Sequence, residues 1–399
     1  MRIVVIGAGP AGTRAAVLAA ERVPGASVTL LGAEPALPYD RVALSRLLAG
    51  EVETADLITH SLQALTARGI AFRPGTRVVS IDRAARLLRT ARGEVIVYDR
   101  LILALGSSAV RLPVPGGNLP GVVCFRDMAD VRQMMQAARE FGRAVVIGGG
   151  LLGLEAAAGL AHRGMRVTVV HGTAWPMNRQ IDAFAGGLLG GRMERRGIRF
   201  VMPAATMAIE GTERATGVRL ADGRVLPAEL VVMAVGIRPN TALAADCGLD
   251  VGQGIRTDAA LRSSDPAIQA IGECAEVEGV CVGLVAPALE QAEAAIHALA
   301  GDLARWAPRP DSAALKISGT AVWSAGEIDA ADTETLTLLD EQEDCYRRLS
   351  LRDGRLVGAV LYGDTADAGF YMDLIKRRAD VGAQRQLLAF GQAYLKDAA

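Results

Sequence analysis

The chain has 399 residues, of which 51% are hydrophobic, and its 43 basic and 44 acidic side chains leave a net charge of −1. This length favours two to four domains, and the apolar content is sufficient for several buried cores. The sequence has no long run of basic or of acidic residues. The charge pattern therefore gives no indication of binding to nucleic acid or to anionic lipid. Four histidines without ligand spacing predict no metal site.

The start of the chain suggests its cellular location. Strand-like residues begin directly after Met1-Arg2, which leaves no room for a signal peptide. No stretch of about 18 uninterrupted apolar residues is present, so no membrane-spanning helix is expected. We therefore expect a soluble cytoplasmic protein.

Two glycine turns of the same pattern follow short apolar strands at 3–6 and 144–147, and each opens an Ala-rich helical stretch. Both fit G-x-G-x-x-G, in which the first glycine permits a tight turn, the second lets the backbone approach a pyrophosphate and the third allows close helix–strand packing. One copy alone is weak evidence, because a turn without a ligand can show the same glycines. The two copies together predict two dinucleotides, and a flavin with a nicotinamide is the natural pair because one passes hydride to the other. The expected binding residues are Gly7, Gly9, Pro10, Ala11 and Gly12 in the first turn, and Gly148, Gly150, Leu151, Leu152 and Gly153 in the second.

The first dinucleotide unit has a second strand at 27–31 that leads to Glu34. An acidic residue at the end of this strand usually accepts the ribose hydroxyls. Glu34 is the candidate, and a surface glutamate is an equal alternative because Gly32 occupies the position where the acid more often lies.

The second unit runs from about 121 to 236, with its second strand at 166–170. His171 stands where an NAD site usually has an acid and an NADP site has small residues with a nearby arginine. His171 could contact either a ribose hydroxyl or a phosphate, and Arg179 could reach the phosphate. NADH is therefore favoured only slightly over NADPH.

The remaining organisation follows from turn residues. A proline-rich stretch at 111–120 predicts a linker, and Pro308 and Pro310 mark a change to strand-like segments. Strands at 346–351 and 356–361, with a D-G turn between them, predict a hairpin. The expected fold is α/β, with an FAD domain at 1–115 and 237–308, an NAD(P)H domain at 116–236 and a C-terminal α+β domain at 309–399.

The five cysteines include no closely spaced pair of the kind that disulfide reductases use beside their flavin. Cys274 and Cys281 could meet across a hairpin. Two reduced cysteines are the favoured interpretation for a cytoplasmic protein.

Two more segments complete the pattern of the two glycine turns, the strand at 98–106 and the segment 270–273. Taken together, they make the chain resemble the pyridine-nucleotide flavoprotein reductases with a glutathione-reductase-like fold. This resemblance implies two Rossmann-like domains. In that family a segment ending in Gly-Asp closes on the ribityl chain of FAD, and here it is Gly272-Glu273. The stretches 39–51, 169–171, 283–287 and 357–364 further resemble the flavin-containing N-terminal part of assimilatory NAD(P)H-nitrite reductase large subunits.

The resemblance implies roles for individual residues. Glu155 would orient the nicotinamide carboxamide, with a helix-start carboxylate as the alternative. Arg41 and Arg46 would lie along the flavin, where Arg46 could stabilise its reduced form; a solvated surface arginine is an equal alternative for Arg46. The other residues implied to line the cofactors are Val285, Ala286, Ala104, Gly106 and Gly236.

Those large subunits continue into iron–sulfur and sirohaem segments, whereas this sequence ends at Ala399. The resemblance therefore implies an electron-input module, a monomer or homodimer that passes hydride from NADH or NADPH to FAD and electrons to a separate nitrate or nitrite reductase. The alternative acceptor is rubredoxin or ferredoxin. A protein that keeps the nucleotide pockets without turnover is a third hypothesis, which the full set of motifs disfavours.

Overall fold

The computed structural model describes residues 1–396, and the last three residues of the predicted C-terminal domain, 397–399, lie outside the described residues. The chain forms two compact units. Unit 1 contains residues 1–43, 53–108 and 237–308, and unit 2 contains residues 44–52, 109–236 and 309–399. The short segment 44–52 thus groups with the second unit. The three-domain division stays a prediction.

The strands, numbered along the chain, are β1 (Arg2–Ile6), β2 (Ser27–Leu31), β3 (Ile70–Arg73), β4 (Val78–Asp82), β5 (Leu87–Thr90), β6 (Val95–Val97), β7 (Arg100–Leu103), β8 (Ser107–Ala109), β9 (Val122–Cys124), β10 (Arg143–Ile147), β11 (Arg166–Val170), β12 (Arg199–Val201), β13 (Thr206–Glu210), β14 (Gly217–Leu220), β15 (Val225–Pro227), β16 (Leu230–Met233), β17 (Ile237–Pro239), β18 (Ile255–Thr257), β19 (Ile268–Ala270), β20 (Ala275–Val277), β21 (Val280–Cys281), β22 (Ser312–Ile317), β23 (Thr320–Gly326), β24 (Glu334–Asp340), β25 (Cys345–Arg352) and β26 (Arg355–Tyr362).

The helices are α1 (Pro10–Arg22), α2 (Leu44–Ala49), α3 (Leu62–Ala67), α4 (Met128–Glu140), α5 (Leu151–His162), α6 (Ala183–Arg195), α7 (Ala242–Asp246), α8 (Val285–Ala300), α9 (Ala368–Arg377), α10 (Arg385–Leu388) and α11 (Gln392–Lys396). Short 3-10 turns lie at Arg41–Ala43, Thr54–Leu57, Gly272–Cys274 and Gly382–Gln384.

Unit 1 is built on a parallel sheet of order β19-β7-β1-β2-β3. In β1, Ile3 lies opposite Val28 of β2 and Arg100 of β7. The strand residues are continuously apolar because both faces of a parallel sheet are covered. Helices α1 and α8 bring small side chains such as Ala15 and Ala292 into the core on this sheet. A three-stranded antiparallel sheet, β4-β5-β6, belongs to the same unit.

Unit 2 repeats this plan with a parallel sheet of order β12-β11-β10-β16-β9. In β10, Val145 lies opposite Thr168 of β11 and Val231 of β16. An antiparallel sheet, β13-β14-β15, accompanies it and shares its core. The two parallel sheets therefore carry the two glycine turns at equivalent places, each after the central strand.

The C-terminal part of unit 2 is an antiparallel sheet of order β22-β23-β26-β25-β24 with α9 packed on it. The predicted hairpin is confirmed, because β25 and β26 pair up to Arg352 opposite Arg355. The two turn residues Asp353 and Gly354 have φ values of 50° and 71°, which are the left-handed values that a type I′ turn requires.

A buried arginine organises this C-terminal part. Arg347 on β25 pairs with Asp364 at 2.6 Å and Asp367 at 2.8 Å. Its side chain is only 9% exposed, so these two carboxylates neutralise a charge that would otherwise be costly to bury.

The predicted fold class, two Rossmann-like units and a C-terminal α+β part, is confirmed. One predicted strand is shorter than expected. The run 98–106 forms a strand only at β7, which ends at Leu103. The next residue, Ala104, packs against the first glycine turn, so the chain must bend there. No helix within residues 1–396 is long and apolar enough to cross a membrane.

Candidate nucleotide-binding sites

The first glycine turn lies against the carboxyl end of β7. Gly7 has a φ of 110°, and a Cβ on it would lie 2.0 Å from the carbonyl oxygen of Ala104. A Cβ on Gly12 would lie 1.9 Å from the carbonyl oxygen of Gly7. Side chains are thus excluded at both positions. Helix α1 begins at Pro10 with no capping side chain and no acidic residue in its first turn, which leaves its N-terminus available to an anion.

The second glycine turn repeats this geometry in unit 2. Gly148 has a φ of 117°, and a Cβ on it would lie 2.2 Å from the carbonyl oxygen of Ala234. A Cβ on Gly153 would lie 1.9 Å from the carbonyl oxygen of Gly148. At the middle glycine, Gly150, no atom lies within 4 Å of the position that a Cβ would take. The open space at this position is where a pyrophosphate would approach.

Three side chains, Glu34, Tyr39 and Arg41, gather beside the first glycine turn. Tyr39 donates its hydroxyl to Glu34 Oε2 at 2.8 Å, and Arg41 forms an ion pair with Glu34 Oε1. Arg41 Nε lies 3.9 Å from where a Cβ of Gly9 would be. A Cβ on Gly32 would meet Ala8 Cβ at 3.1 Å, so a side chain there would be tightly packed. The structure thus places Glu34 and Arg41 together beside the glycine turn.

The segment Gly272-Glu273 closes the other side of this site. A Cβ on Gly272, whose φ is 74°, would lie 3.1 Å from Ala11 Cβ. Ser107 donates its hydroxyl to Glu273 Oε2 at 2.8 Å, and this oxygen lies 3.7 Å from where a Cβ of Gly106 would be. The carboxylate is therefore held between the start of α1 and the chain after β7.

Helix α8 also contributes to the site in unit 1, next to the glycine turn and the segment Gly272-Glu273. It begins at Val285 and Ala286, and no side chain caps its N-terminus. Further along α8, the fully buried Gln291 accepts the backbone N–H of Gly272 on its Oε1 at 2.7 Å. Gln291 therefore fixes the segment that carries Glu273.

The residues around the first turn fit FAD. The glycine backbone leaves a cradle that a Cβ would fill, an uncapped helix N-terminus faces it, and an acid–arginine pair stands at the ribose end. Those features match a pyrophosphate with an attached ribose. The second turn forms a cradle of the same geometry.

In the second site, Glu155 lies on α5 and is 7% exposed. Leu151 and Leu152 form the first turn of that helix, and Leu152 is 41% exposed. Gly236 has a φ of 124° and stands two residues after Ala234, as Gly106 does after Ala104.

His171 follows β11 directly and is bonded through both ring nitrogens. Its Nδ1 accepts the N–H of Gly149 at 3.1 Å, and its Nε2 lies 3.1 Å from Asn178 Oδ1. Burial lowers the pKa of His171, while the hydrogen bond with Asn178 opposes that shift. Arg179, the other predicted phosphate contact, is exposed.

Arg46, a predicted flavin residue, lies on α2, which groups with unit 2. It is exposed and pairs with Glu51 at 3.4 Å. Helix α2 packs so closely on α5 that a Cβ on Gly159 would lie 2.8 Å from Leu48. Arg163 donates to the carbonyl oxygens of Leu47 and Leu48 and so completes the end of α2.

Comparison with known proteins decides the family. Residues 1–298 match the family model described as pyridine nucleotide-disulphide oxidoreductase. The chain belongs to this family. Residues 312–379 match the model described as the rubredoxin NAD+ reductase C-terminal domain. The predicted oxidoreductase class and the predicted cofactors, FAD with NADH or NADPH, are confirmed at the level of the family.

Individual relatives extend this family assignment. The NAD(P)H nitrite reductase of Bacillus subtilis is 38% identical over 95% of this chain and 48% of its own length. The assimilatory nitrate reductase electron transfer subunit of the same organism is 39% identical over 90% of this chain and 47% of its own length. The chain thus spans about half the length of these curated relatives. A ferredoxin reductase of Rhodopseudomonas palustris matches over 100% of both chains, with 30% identity and a TM-score of 0.90.

Despite the family's name, this member holds its five cysteines as free thiols. Cys274 is completely buried, and its burial raises the pKa of the thiol to about 11. Its Sγ accepts the N–H of Leu105 at 3.3 Å. Such a thiol stays protonated near neutral pH, so it is a poor nucleophile.

The sequence interpretation missed three residues at these sites. Ala234 could have been recognised, because the A-x-G pattern Ala104-Leu105-Gly106 recurs as Ala234-Val235-Gly236. Gln291 and Asn178 could not, since only the folded chain brings them to Gly272 and His171.

Proposed function

We propose that this protein transfers hydride from NAD(P)H to FAD and passes the electrons to a separate metal-containing protein, an assimilatory nitrate or nitrite reductase. The observation that carries this proposal is the pair of matching glycine cradles, one in each unit. Bound FAD supplies the ability to accept two electrons as hydride and release them singly. The names and similarity of the two Bacillus subtilis relatives support the choice of acceptor.

In this proposal the side chains bind and orient, and none supplies a proton. Glu34 and Arg41 hold the ribose and pyrophosphate of FAD, and Glu273 binds its ribityl chain. Glu155 orients the nicotinamide carboxamide on the second turn. Positioning of the reacting atoms supplies most of the rate in such a transfer. We assign FAD to residues 1–115 with 237–308, and the nicotinamide nucleotide to residues 116–236.

The test is anaerobic stopped-flow mixing of the FAD-loaded protein with NADH or NADPH. Loss of the flavin absorbance band is expected with at least one nucleotide, followed by rapid recovery on addition of the cognate nitrate or nitrite reductase. If neither nucleotide bleaches the band, the proposal is wrong. Bleaching without faster recovery than in buffer would reject the acceptor and keep the first half-reaction.

A rubredoxin or a ferredoxin is the second candidate acceptor. The match of residues 312–379 to the rubredoxin NAD+ reductase C-terminal domain favours it, as does the likeness to a ferredoxin reductase. Steady-state rates with rubredoxin, ferredoxin and the nitrite reductase, each at the same concentration, separate the candidates. The physiological class should give a kcat/KM at least tenfold above the others.

We further infer that the protein acts in the cytoplasm as a monomer or homodimer and binds neither nucleic acid nor membranes. The near balance of 43 basic and 44 acidic residues supports the part of this inference that concerns nucleic acid and membranes. Light scattering coupled to gel filtration measures the mass in solution, and co-sedimentation with anionic vesicles tests membrane binding.

A further inference from the structure

The residue after β11 is clamped to the glycine turn of unit 2. His171 Nδ1 accepts the N–H of Gly149 at 3.1 Å, and Met177 donates its N–H to the carbonyl oxygen of Gly149 at 2.8 Å. A Cβ on Gly149 would lie 2.9 Å from the His171 ring. The loop from His171 to Asn178 therefore grips Gly149 through both of its backbone polar groups.

This grip fixes the protonation state of the imidazole. Because Nδ1 accepts a hydrogen bond, it carries no proton, and the proton of the neutral ring is on Nε2. Nε2 therefore donates to Asn178 Oδ1 at 3.1 Å. Both ring nitrogens are committed to the protein, and neither is left for a ligand.

The surroundings keep the ring neutral. Burial is the larger cause that lowers the pKa of His171 from 6.5, and the bond with Asn178 is the smaller, opposing one. Within residues 1–396, no charged side chain is a cause of this shift. The ionisable groups on the neighbouring elements are Glu155 and His162 on α5, Arg143 on β10, Arg166 on β11, Arg199 on β12, and Arg179 and Asp182 on the loop that follows His171.

The carboxyl end of the second strand is where Rossmann units read the adenosine ribose, and a cation there accommodates the 2′-phosphate of NADP. We propose that His171 sets the choice between NAD(H) and NADP(H) and makes it depend on pH. The neutral ring offers the 2′-phosphate no charge, so NAD(H) is preferred. A protonated ring loses the bond from Gly149, because two donors then face each other, and it brings a positive charge to the 2′-phosphate.

This inference rests on the proposed nucleotide site, so its test measures binding. NAD+ and NADP+ are titrated calorimetrically into the oxidised, FAD-loaded protein at about pH 7.5 and about pH 5.5, on either side of the ordinary histidine range. The 2′-phosphate itself gains a proton near pH 6, which weakens NADP+ binding to any variant. His171→Gln, which cannot become charged, therefore provides the reference at both pH values.

Relative to His171→Gln, the ratio Kd(NADP+)/Kd(NAD+) of the unmodified protein is expected to fall about tenfold between the higher and the lower pH, the size of one charge-assisted hydrogen bond. His60→Gln is the matched control, because burial also lowers the pKa of His60 although it lies in unit 1. This variant should behave like the unmodified protein. Arg179→Gln should weaken NADP+ binding at both pH values, since arginine stays charged.

Equal pH dependence in the unmodified protein and His171→Gln would overturn the inference. If His171→Gln does not fold, nitrogen-15 NMR of the unmodified protein decides, because an Nδ1–H tautomer at the higher pH, or a titration midpoint at or above 6.5, contradicts the clamp. Flavin bleaching by NADH tests the proposed function separately. Bleaching with an unchanged ratio of the two dissociation constants rejects only the role of His171.

Discussion

Alanine at Gly7 or at Gly148 is expected to separate the two nucleotide sites. Both glycines have left-handed φ values, 110° and 117°, and a Cβ would lie 2.0 Å and 2.2 Å from the carbonyl oxygens of Ala104 and Ala234. A carbon–oxygen contact needs roughly 3 Å, so the turn must move by about 1 Å from the strand behind it. The strained φ alone costs about 1–3 kcal/mol. That cost corresponds to an affinity weakened by about 5- to 150-fold.

The assay compares both ligands in both variants. Gly7→Ala should be purified with less FAD, measured from the flavin absorbance per polypeptide, and should still bind NAD+ in calorimetry. Gly148→Ala should retain FAD and bind NAD+ at least fivefold more weakly. Gly187→Ala is the matched control, because Gly187 lies in α6 and no atom lies within 4 Å of its Cβ position. It should retain both ligands.

This reasoning is refuted if Gly7→Ala and Gly148→Ala lose the same ligand to the same extent. If Gly148→Ala loses FAD to the same extent as Gly7→Ala while the melting temperatures of both equal that of Gly187→Ala, the turns do not serve separate nucleotides. Full FAD content in Gly7→Ala would show instead that the first turn does not hold the pyrophosphate.

Other variants test the supporting residues. Gln291→Leu leaves the N–H of Gly272 without its acceptor, which costs about 1–3 kcal/mol; FAD should dissociate at least fivefold faster, measured by flavin fluorescence. Arg347→Met should lower the free energy of unfolding by about 1–3 kcal/mol in urea, because it leaves two carboxylates unpaired. Cys274, with its buried thiol, should react with a thiol reagent only after unfolding. Since burial lowers the pKa of His171, the unfolded chain binds that proton more tightly, and stability should fall as the pH drops below 6.5, less so in His171→Gln.

The sequence predicted most reliably those positions where the backbone conformation requires a particular residue type. Gly7 and Gly148 could be predicted because only glycine tolerates a left-handed φ together with a carbonyl oxygen so close to the Cβ position. The D-G turn at Asp353 and Gly354 could be predicted for the same reason. The strands flanking the glycine turns were recognisable because parallel strands covered on both faces have continuous apolar sequences.

Contacts between remote segments could not be read from local pattern. The exposed position of Arg46 and its assignment to unit 2 depend on the packing of α2 against Gly159. The hydrogen bond of His171 Nε2 depends on Asn178, seven residues along a loop without regular structure. Propensity and periodicity describe neighbours in sequence, whereas these partners are set by tertiary packing.

The order in which the first site is assembled follows from the chain path through the two units. Glu273 is separated by 166 residues from Ser107, which donates to it, and residues 109–236 of unit 2 lie between them. During synthesis, β7 therefore lacks its neighbour β19 until the nucleotide-binding strands of unit 2 have left the ribosome. In the proposed assignment, the cradle around Gly7 therefore stays open on the Glu273 side until that point. Stable capture of the flavin is then expected only after the strands of the proposed site for the nicotinamide nucleotide have been made.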